Sequence, residues 1–436
     1  MKYIPTLQQR IVRRRRIAIV TIIASLGIAC RWHVANLEPA YPVGEGVYKE
    51  NTVSETGETK QPNAALFYMA AAGAFHIDMP EGLEQDTHSL ISAPLSVQEP
   101  VVAQAKPAFD LLRQGMKYSF VADKIPGYFV EESSVGKSIP TRNFAPLREM
   151  SRMLAVESRV KAAKGDTPGA LQSALDAMRL GTDAGQGASL LEGMIGVLLQ
   201  RIGTQEAIRH VKGLSAAEAR AGASRLEAML KHERTFAQMM TAERDTMSYD
   251  TLKTVFRTGA FQGMNPNTGE ELDLQGAGWR FALGTMVFAR TKQGVVDDFA
   301  EQYDQILTRY RMPYQLAKRL DKTQLSANPM VRYWVDTDVQ RAYHQTTQQA
   351  THNRVLLAQL AIQAYRQEHG GVAPTSLSDL TRGTKPYISV VPGDPFSLPG
   401  THALRYDAHT GKAYSVGENG KDDRNAGDDN SGLYNE

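Results

Sequence analysis

Apolar residues recur at helical spacing through most of the chain, from residue 63 to residue 369. Around residue 150, for example, Met150, Met153, Leu154 and Val160 fall on one face of a helix. The same pattern predicts helices over residues 63–75, 101–116, 147–164, 170–180, 189–210, 215–247, 295–320 and 343–369. The body of the protein is therefore predicted to be mainly α-helical.

Capping residues mark several of the predicted helix boundaries. Asn63 is a typical N-cap, and Gly165 followed by Asp166 ends one helix and begins the next. Ser215, with Glu218 three residues later, has the pattern of a capping box. These local signals predict where the helices begin, independently of how the helices pack.

Two of these helices carry predictions about their buried faces. The helix over residues 189–210 is expected to bury the apolar face made by Leu191, Ile195, Leu198 and Ile202. The helix over residues 215–247 has Glu233 on its apolar stripe. Because an unpaired buried carboxylate is costly, we expect Glu233 to pair with an arginine from a neighbouring helix.

Short β-rich runs follow the last predicted helix, which Gly370 and Gly371 end. They cover residues 387–391, 403–406 and 413–416, and the turns between them are rich in Pro, Gly and Asp. One long helix followed by a small antiparallel meander predicts an α+β unit at the C-terminus.

The N-terminus combines a basic tail with an apolar run. Residues 1–16 hold Lys2, Arg10 and the four arginines at 13–16, without an acid, and residues 17–30 are apolar. Crossing a bilayer takes about 20 apolar residues, so the run must extend to Val34, with Arg31 reaching the interface. The favoured interpretation is a single-pass anchor at residues 17–34 in the cytoplasmic (inner) membrane, with the basic tail in the cytoplasm and the body on the extracytoplasmic, periplasmic side.

Three alternatives to the anchor stay open. A cleaved signal peptide has an apolar region of similar length. A lipoprotein would be acylated at Cys30, the only cysteine, although the residues before it depart from the usual lipobox. A buried helix of a cytoplasmic protein is the least favoured alternative, because four consecutive arginines precede the run.

Composition narrows the function classes. The 436 residues suffice for two or three folded units, and 49 basic against 47 acidic residues give no overall signature of a nucleic-acid partner. We find no catalytic motif strong enough to name a reaction. The predicted layout is a basic tail (1–16), an anchor or signal segment (17–34), a linker (35–62), a helical domain (63–330) and a C-terminal domain (340–436).

The C-terminal residues also resemble a known family. The series AYRQEHGGVAPTSLSDL, VPGDPFSLPG, LRYD and YSVGENGKDD, within residues 354–430, is similar to the C-terminal part of the major pseudopilins of type II secretion. The resemblance implies a pseudopilin-like fold and a calcium-binding loop. The chain lacks the processed N-terminal segment with which pseudopilins begin, and about 300 residues separate its anchor from this part. The whole layout also resembles membrane-anchored bacterial proteins of unknown function.

The acidic loop at residues 417–430 is the candidate metal site. Calcium takes six to eight oxygen ligands, and this glycine-containing loop offers carboxylate and amide oxygens at Asp422, Asp423, Asn425, Asp428 and Asp429. The spacing does not fit an EF-hand, and an acidic tail without a ligand is the alternative interpretation.

The resulting hypothesis is an envelope-anchored, non-enzymatic protein whose C-terminal module serves assembly or interaction. Its expected partners are the membrane, through residues 17–34, and envelope or secretion-machinery proteins, with no nucleic acid. The alternative is an exported hydrolase or accessory enzyme with its site in the helical domain.

Calcium binding predicts a thermal shift. Calcium should raise the melting temperature of a fragment of residues 35–436, because a ligand that binds only the folded state stabilises it. Asp423→Ala should abolish the shift. A melting temperature unchanged at millimolar calcium would contradict the prediction.

Overall fold

The structure of the chain is a computed structural model. It describes residues 63–79, 87–120, 144–186, 190–245, 291–320, 339–398 and 403–424. It also describes residues 21–22, 24–27 and 37. Of four short strands and one helical turn, all given below, only the backbone is described. Of the predicted anchor, residues 21, 22 and 24–27 are described, and they are helical. No helix among the described residues is both long and apolar enough to span a bilayer. The anchor at residues 17–34 and the linker at 35–62 stay predictions.

Helices dominate the described residues, as predicted. In chain order they are α1 (Ala64–Ala74), α2 (Thr87–Ile91), α3 (Leu95–Gly115), α4 (Ala145–Ala163), α5 (Thr167–Ala184), α6 (Leu190–His210), α7 (Ala216–Leu230), α8 (Phe236–Ala242), α9 (Lys292–Tyr310), α10 (Tyr314–Arg319) and α11 (Val339–Glu368). A 3-10 turn at Val211–Gly213 follows α6, a π-helical turn at Glu243–Ser248 follows α8, and a 3-10 turn at Leu377–Thr381 follows α11.

The strands form three separate antiparallel pairs. They are β1 (Val130–Glu131) with β2 (Thr141–Arg142), β3 (Gln262–Met264) with β4 (Glu271–Asp273), and β5 (Arg405–Asp407) with β6 (Lys412–Tyr414). In the last pair Arg405 lies opposite Tyr414, and Asp407 lies opposite Lys412. The prediction of three β-rich runs is wrong for residues 387–391, which bend across the surface of α7 instead of joining a strand.

The chain divides into two compact units. One contains residues 1–44, 247–305 and 323–337, and the other contains residues 45–246, 306–322 and 338–436. This division differs from the predicted boundary between residues 330 and 340. The larger unit joins the predicted helical domain to the C-terminal residues, because α11 packs on α6 and α7 and contributes to the same core.

The described residues of the larger unit include two apolar cores to which α5 contributes. One core combines α1, α3 and α4 with Ala177, Leu180 and Ala184 of α5. The other combines α7, α11 and the C-terminal hairpin with residues of the opposite face of α5, among them Leu171 and Leu175. A helix that is buried on two faces holds the two cores in one unit.

Charged side chains that are shared between helices stabilise this packing. Asp176 of α5 is 1% exposed and accepts hydrogen bonds from Arg113 of α3, at 2.8 Å, and from Arg225 of α7, at 2.6 Å. A buried carboxylate is tolerated only with such partners. Glu233 accepts a hydrogen bond from Arg354 of α11 at 3.1 Å, which confirms the predicted pairing with an arginine.

The predicted caps are confirmed. Asn63 accepts a hydrogen bond from the Ala65 amide at 3.0 Å, Asp166 accepts one from Gly169 at 2.9 Å, and Ser215 forms the capping box with Glu218. A capping side chain satisfies amide groups that have no partner within the helix, so its effect is local.

Two of the predicted long helices are wrong, since each is divided. The helix expected over residues 215–247 ends at Leu230, and α8 starts after a second capping box formed by Thr235 and Gln238. The helix expected over residues 295–320 ends at Tyr310, and α10 starts after Pro313. Proline lacks an amide hydrogen and therefore suits the start of a new helix.

The predicted buried face of α6 is confirmed in part, since Ile195 and Ile202 are half-buried and pack against a core, but it is wrong for the two leucines. Leu191 and Leu198 are 61% and 45% exposed, whereas α6 buries its glycine-containing face against α5. A Cβ atom added at Gly196 would lie 2.6 Å from the Gly185 Cα and 2.7 Å from the Gly181 carbonyl oxygen. The two backbones thus approach so closely that a side chain does not fit between them.

This close approach makes Gly196 sensitive to the smallest substitution. Gly196→Ala should lower the free energy of unfolding by about 1–3 kcal/mol, because the added methyl group meets backbone atoms that cannot rotate away. Gly73→Ala in α1 is the matched control, since no atom lies within 4 Å of its added Cβ. Urea denaturation of both variants measures the difference. Equal midpoints for the two would contradict the packing of α5 on α6.

Candidate functional site

The largest cavity described in the larger unit is an open groove with a volume of about 880 Å³. Its walls are α4, α6 with the following 3-10 turn, α11 and the turn between β5 and β6, and Ile91 lies at its edge. Eight basic residues line it: Arg148, Arg152, Arg159, Arg201, Arg209, Lys212, Arg366 and Lys412. Among the described lining residues, Glu206 is the one acid. We call this cavity the basic groove.

The arginines on the α4 wall already contact carboxylates. Arg148 and Arg152 lie 3.2 and 3.3 Å from Glu149. Arg159 donates two hydrogen bonds to Glu206, from Nε to Oε2 at 3.0 Å and from Nη2 to Oε1 at 2.6 Å. This two-point contact is the geometry that planar guanidinium and carboxylate groups favour, and it fixes the wall of the groove.

Other basic side chains of the groove have no such partner. Arg201 and Lys212 are exposed, and neither side chain forms a hydrogen bond or an ion pair with another described residue. Gln205 lies one turn along α6 from Arg201 and is also exposed. These positive charges point to an anionic ligand, because nothing described in the groove neutralises them.

The α11 wall adds donors that lack acceptors. Gln359 and Arg366 line the groove, and the buried atoms Gln359 Nε2 and Arg366 Nε have no hydrogen-bond partner among the described residues. Arg366 Nη2 donates to the Thr410 carbonyl at 3.4 Å, and a Cβ at Gly411 would lie 2.1 Å from that nitrogen. A buried donor without an acceptor costs about 1–3 kcal/mol.

Apolar side chains lie between these charges. Leu198 is 45% exposed and is adjacent to Arg201 on the surface of α6. Ile91, Ile202 and Ile208 are half-buried and line the same groove. The groove therefore offers positive charge and apolar surface together.

A buried serine–histidine pair lies close to the groove but is structural. Ser158 Oγ lies 2.8 Å from His210 Nε2 and donates to the Ala170 carbonyl at 2.8 Å. Ser158 is fully buried, so no substrate reaches its hydroxyl group. Burial lowers the pKa of His210, although the nearby Glu206 opposes the shift. The pair joins α4 to α6 as a neutral contact.

The predicted calcium residues are described in part. Asp422 accepts a hydrogen bond from Tyr414 Oη at 3.1 Å, and Asp423 accepts one from Asn419 at 2.9 Å. Asn425, Asp428 and Asp429 lie outside the described residues. Within the described residues there is no group of three or more His, Cys, Asp or Glu side chains that could hold a metal ion. Calcium binding stays a prediction.

Direct contacts hold the start of the acidic loop and the residues that precede it within the larger unit. Asp394 accepts hydrogen bonds from the Ser415 hydroxyl and the Val416 amide, both at 2.8 Å. Glu418 accepts one from Lys318 of α10 at 2.9 Å, and this contact lowers the pKa of Glu418. The GDPF turn and the YSVGENG segment, which carry the resemblance to pseudopilins, are thus held together by direct contacts.

The basic groove was not found from the sequence. Its lining residues run from Ile91 to Lys412 and come from separate helices. The one signal was local: Arg148, Arg152 and Arg159 share a face of α4, as do Arg201, Gln205 and Arg209 of α6. Each of these sets alone is typical of an ordinary solvent-exposed helix face.

Comparison of the chain with models of protein families, with curated proteins and with solved structures gave no match. The resemblance of residues 354–430 to the pseudopilins therefore rests on their motifs alone.

Proposed function

We propose that the protein is a binding protein whose larger unit takes an anionic ligand into the basic groove. One observation carries the proposal: eight basic side chains and a single acid line one open cavity. A concave site lined by one sign of charge raises the local concentration of oppositely charged ligands and accelerates their association. The near-neutral composition of the whole chain makes this local excess specific to the groove.

The lining residues favour binding over hydrolysis. A hydrolase needs a nucleophile or a general base directed into the cavity. Glu206, the acid among the described lining residues, is engaged with Arg159. Burial raises the pKa of Asp183 and of Glu243, but neither residue lines the groove.

The spacing of the charges indicates a ligand with several anionic groups. Arg148 and Arg159 are eleven positions apart on α4, which corresponds to roughly 16 Å at the helical rise of about 1.5 Å per residue. Arg366 and Lys412 lie on the α11 and hairpin side of the same groove. A single small anion cannot contact all of these positions, whereas a polyanion can.

Attachment to a membrane is the second part of the proposal. The run at residues 17–34, after the arginines at 13–16, supports a single-pass anchor in the cytoplasmic membrane that leaves the groove on the extracytoplasmic side. Together with the pseudopilin-like motifs, it supports a role in assembly or interaction at the envelope, with secretion-machinery proteins as the expected class of partner.

The anchor predicts resistance to extraction. The full chain should stay in the membrane pellet after washing with alkaline carbonate, because a spanning helix is held by the hydrocarbon core and not by charge. A variant with Ile19→Asp and Ile23→Asp should be released, since charges at the helix centre oppose insertion. Release of the unaltered chain by carbonate would contradict the anchor.

The groove predicts salt-dependent binding of polyanions. The full chain should bind fluorescent inorganic polyphosphate and poly-glutamate at low salt, and the affinity should fall steeply as the salt concentration rises. Arg201→Glu with Lys212→Glu should weaken binding by about tenfold or more, because both charges are reversed within the groove. Fluorescence anisotropy measures the affinities.

Lys231→Glu is the matched control for charge reversal. Lys231 is exposed at the end of α7 and does not line the groove. It should leave the affinity within about twofold of the unaltered chain. Equal losses in the control and in the groove variant would contradict the proposal, as would absence of binding to both polyanions.

A further inference from the structure

We propose that the natural occupant of the basic groove is a short acidic segment of a partner protein that carries apolar side chains between its carboxylates. This inference rests on the proposed function and names the class of ligand. A polymer made only of charged units, such as polyphosphate, uses the basic residues of the groove and nothing else. A peptide with alternating acidic and apolar side chains uses the whole lining.

The apolar residues of the groove favour a peptide with apolar side chains over a polymer made only of charged units. Leu198 is 45% exposed on α6 although most large apolar side chains of the larger unit are buried. Arg201 and Ile202 follow it at three and four positions, so the three side chains are neighbours on one surface of the helix. A segment that places an apolar side chain over Leu198 can thus also place one of its carboxylates at Arg201.

One contact in the wall of the groove illustrates how an arginine there can bind a carboxylate. Arg159 holds both oxygens of Glu206 by paired hydrogen bonds. Arg201 lies on the same helix as Glu206 and has an unengaged guanidinium group that can make the same two-point contact. Six of the eight basic lining residues are arginines, whose planar group is suited to this geometry.

The dimensions of the groove fit a short extended segment. The α4 wall covers roughly 16 Å between Arg148 and Arg159. An extended chain advances about 3.3–3.6 Å per residue, so about five residues span that distance. Successive side chains of an extended segment point in opposite directions. The acidic side chains of such a segment can therefore contact the α4 and α11 walls while its apolar side chains face Leu198 on α6.

Two synthetic peptides test this inference with the full chain. The first is Glu-Leu-Glu-Leu-Glu and the second is Glu-Ser-Glu-Ser-Glu, which has equal charge and no large apolar side chain. The leucine peptide should bind about tenfold tighter by isothermal titration calorimetry, because it buries apolar surface in addition to pairing its charges. Inorganic polyphosphate serves as the purely charged probe.

Substitutions on α6 test whether Leu198 causes the preference for the leucine peptide. Leu198→Asn should abolish the difference in affinity between the two peptides. Leu191→Asn is the matched control, since Leu191 is 61% exposed on the same helix and does not line the groove. Arg201→Ala should weaken both peptides to a similar degree.

The outcomes separate the two proposals. Equal affinities for the two peptides, or a preference that survives Leu198→Asn, would overturn the inference, as would binding of polyphosphate without binding of either peptide. Each of these results leaves the anion-binding function in place. If neither the peptides nor polyphosphate bind, the proposed function fails together with the inference.

Discussion

The backbone contact between α5 and α6 is the constraint on which the rest of the larger unit depends. Gly181 of α5 and Gly185, which caps its C-terminus, face Gly196 of α6, and a Cβ added at Gly203 would lie 2.5 Å from the Ala174 carbonyl oxygen. Helices that meet through glycines approach more closely than side chains allow, and the contact fixes the rotation of each helix about its axis. α6 therefore turns Leu191 and Leu198 outward, whereas Leu199 stays buried in the core.

The basic groove follows from that rotation. Leu198 and Arg201 are presented outward from α6, while Glu206 remains buried and holds Arg159 of α4. On the other side α11 contributes Arg366, whose guanidinium fits beneath the hairpin turn because residue 411 is a glycine. Charge and apolar surface meet in the groove because α4, α11 and the β5–β6 hairpin are held in fixed positions beside α6.

Local features of this fold could be predicted from the sequence, and features that depend on packing could not. Asn63, Asp166 and Ser215 cap helices through contacts within a few residues, so their roles are visible in the sequence itself. The predicted burial of Leu191 and Leu198 on α6 is wrong, because hydrophobicity ranks a leucine above Gly196 whereas close backbone packing selects the glycine. A pattern of apolar spacing carries no information about how near the partner helix lies.

The candidate site also depends on packing between distant parts of the chain, which the sequence does not reveal. Arg148 and Arg366 are separated by more than two hundred positions, and only the packing of α11 beside α6 brings them to one cavity. The acidic loop, by contrast, is continuous in sequence and was predicted from its residues. Of its described carboxylates, Asp422 and Asp423 make hydrogen bonds within the C-terminal segment itself, whereas Glu418 accepts one from Lys318 of α10.

Zero-length cross-linking tests the central claim, that the groove is where anions bind, most directly. A carbodiimide joins a carboxylate to a lysine amine only where the two are in contact, so poly-glutamate bound to the full chain reports its own position. The account predicts coupling at Lys212 and Lys412, which line the groove, and little coupling at the exposed Lys106 and Lys231, which do not. Coupling of similar yield at all four lysines, or coupling at Lys106 and Lys231 alone, would contradict it.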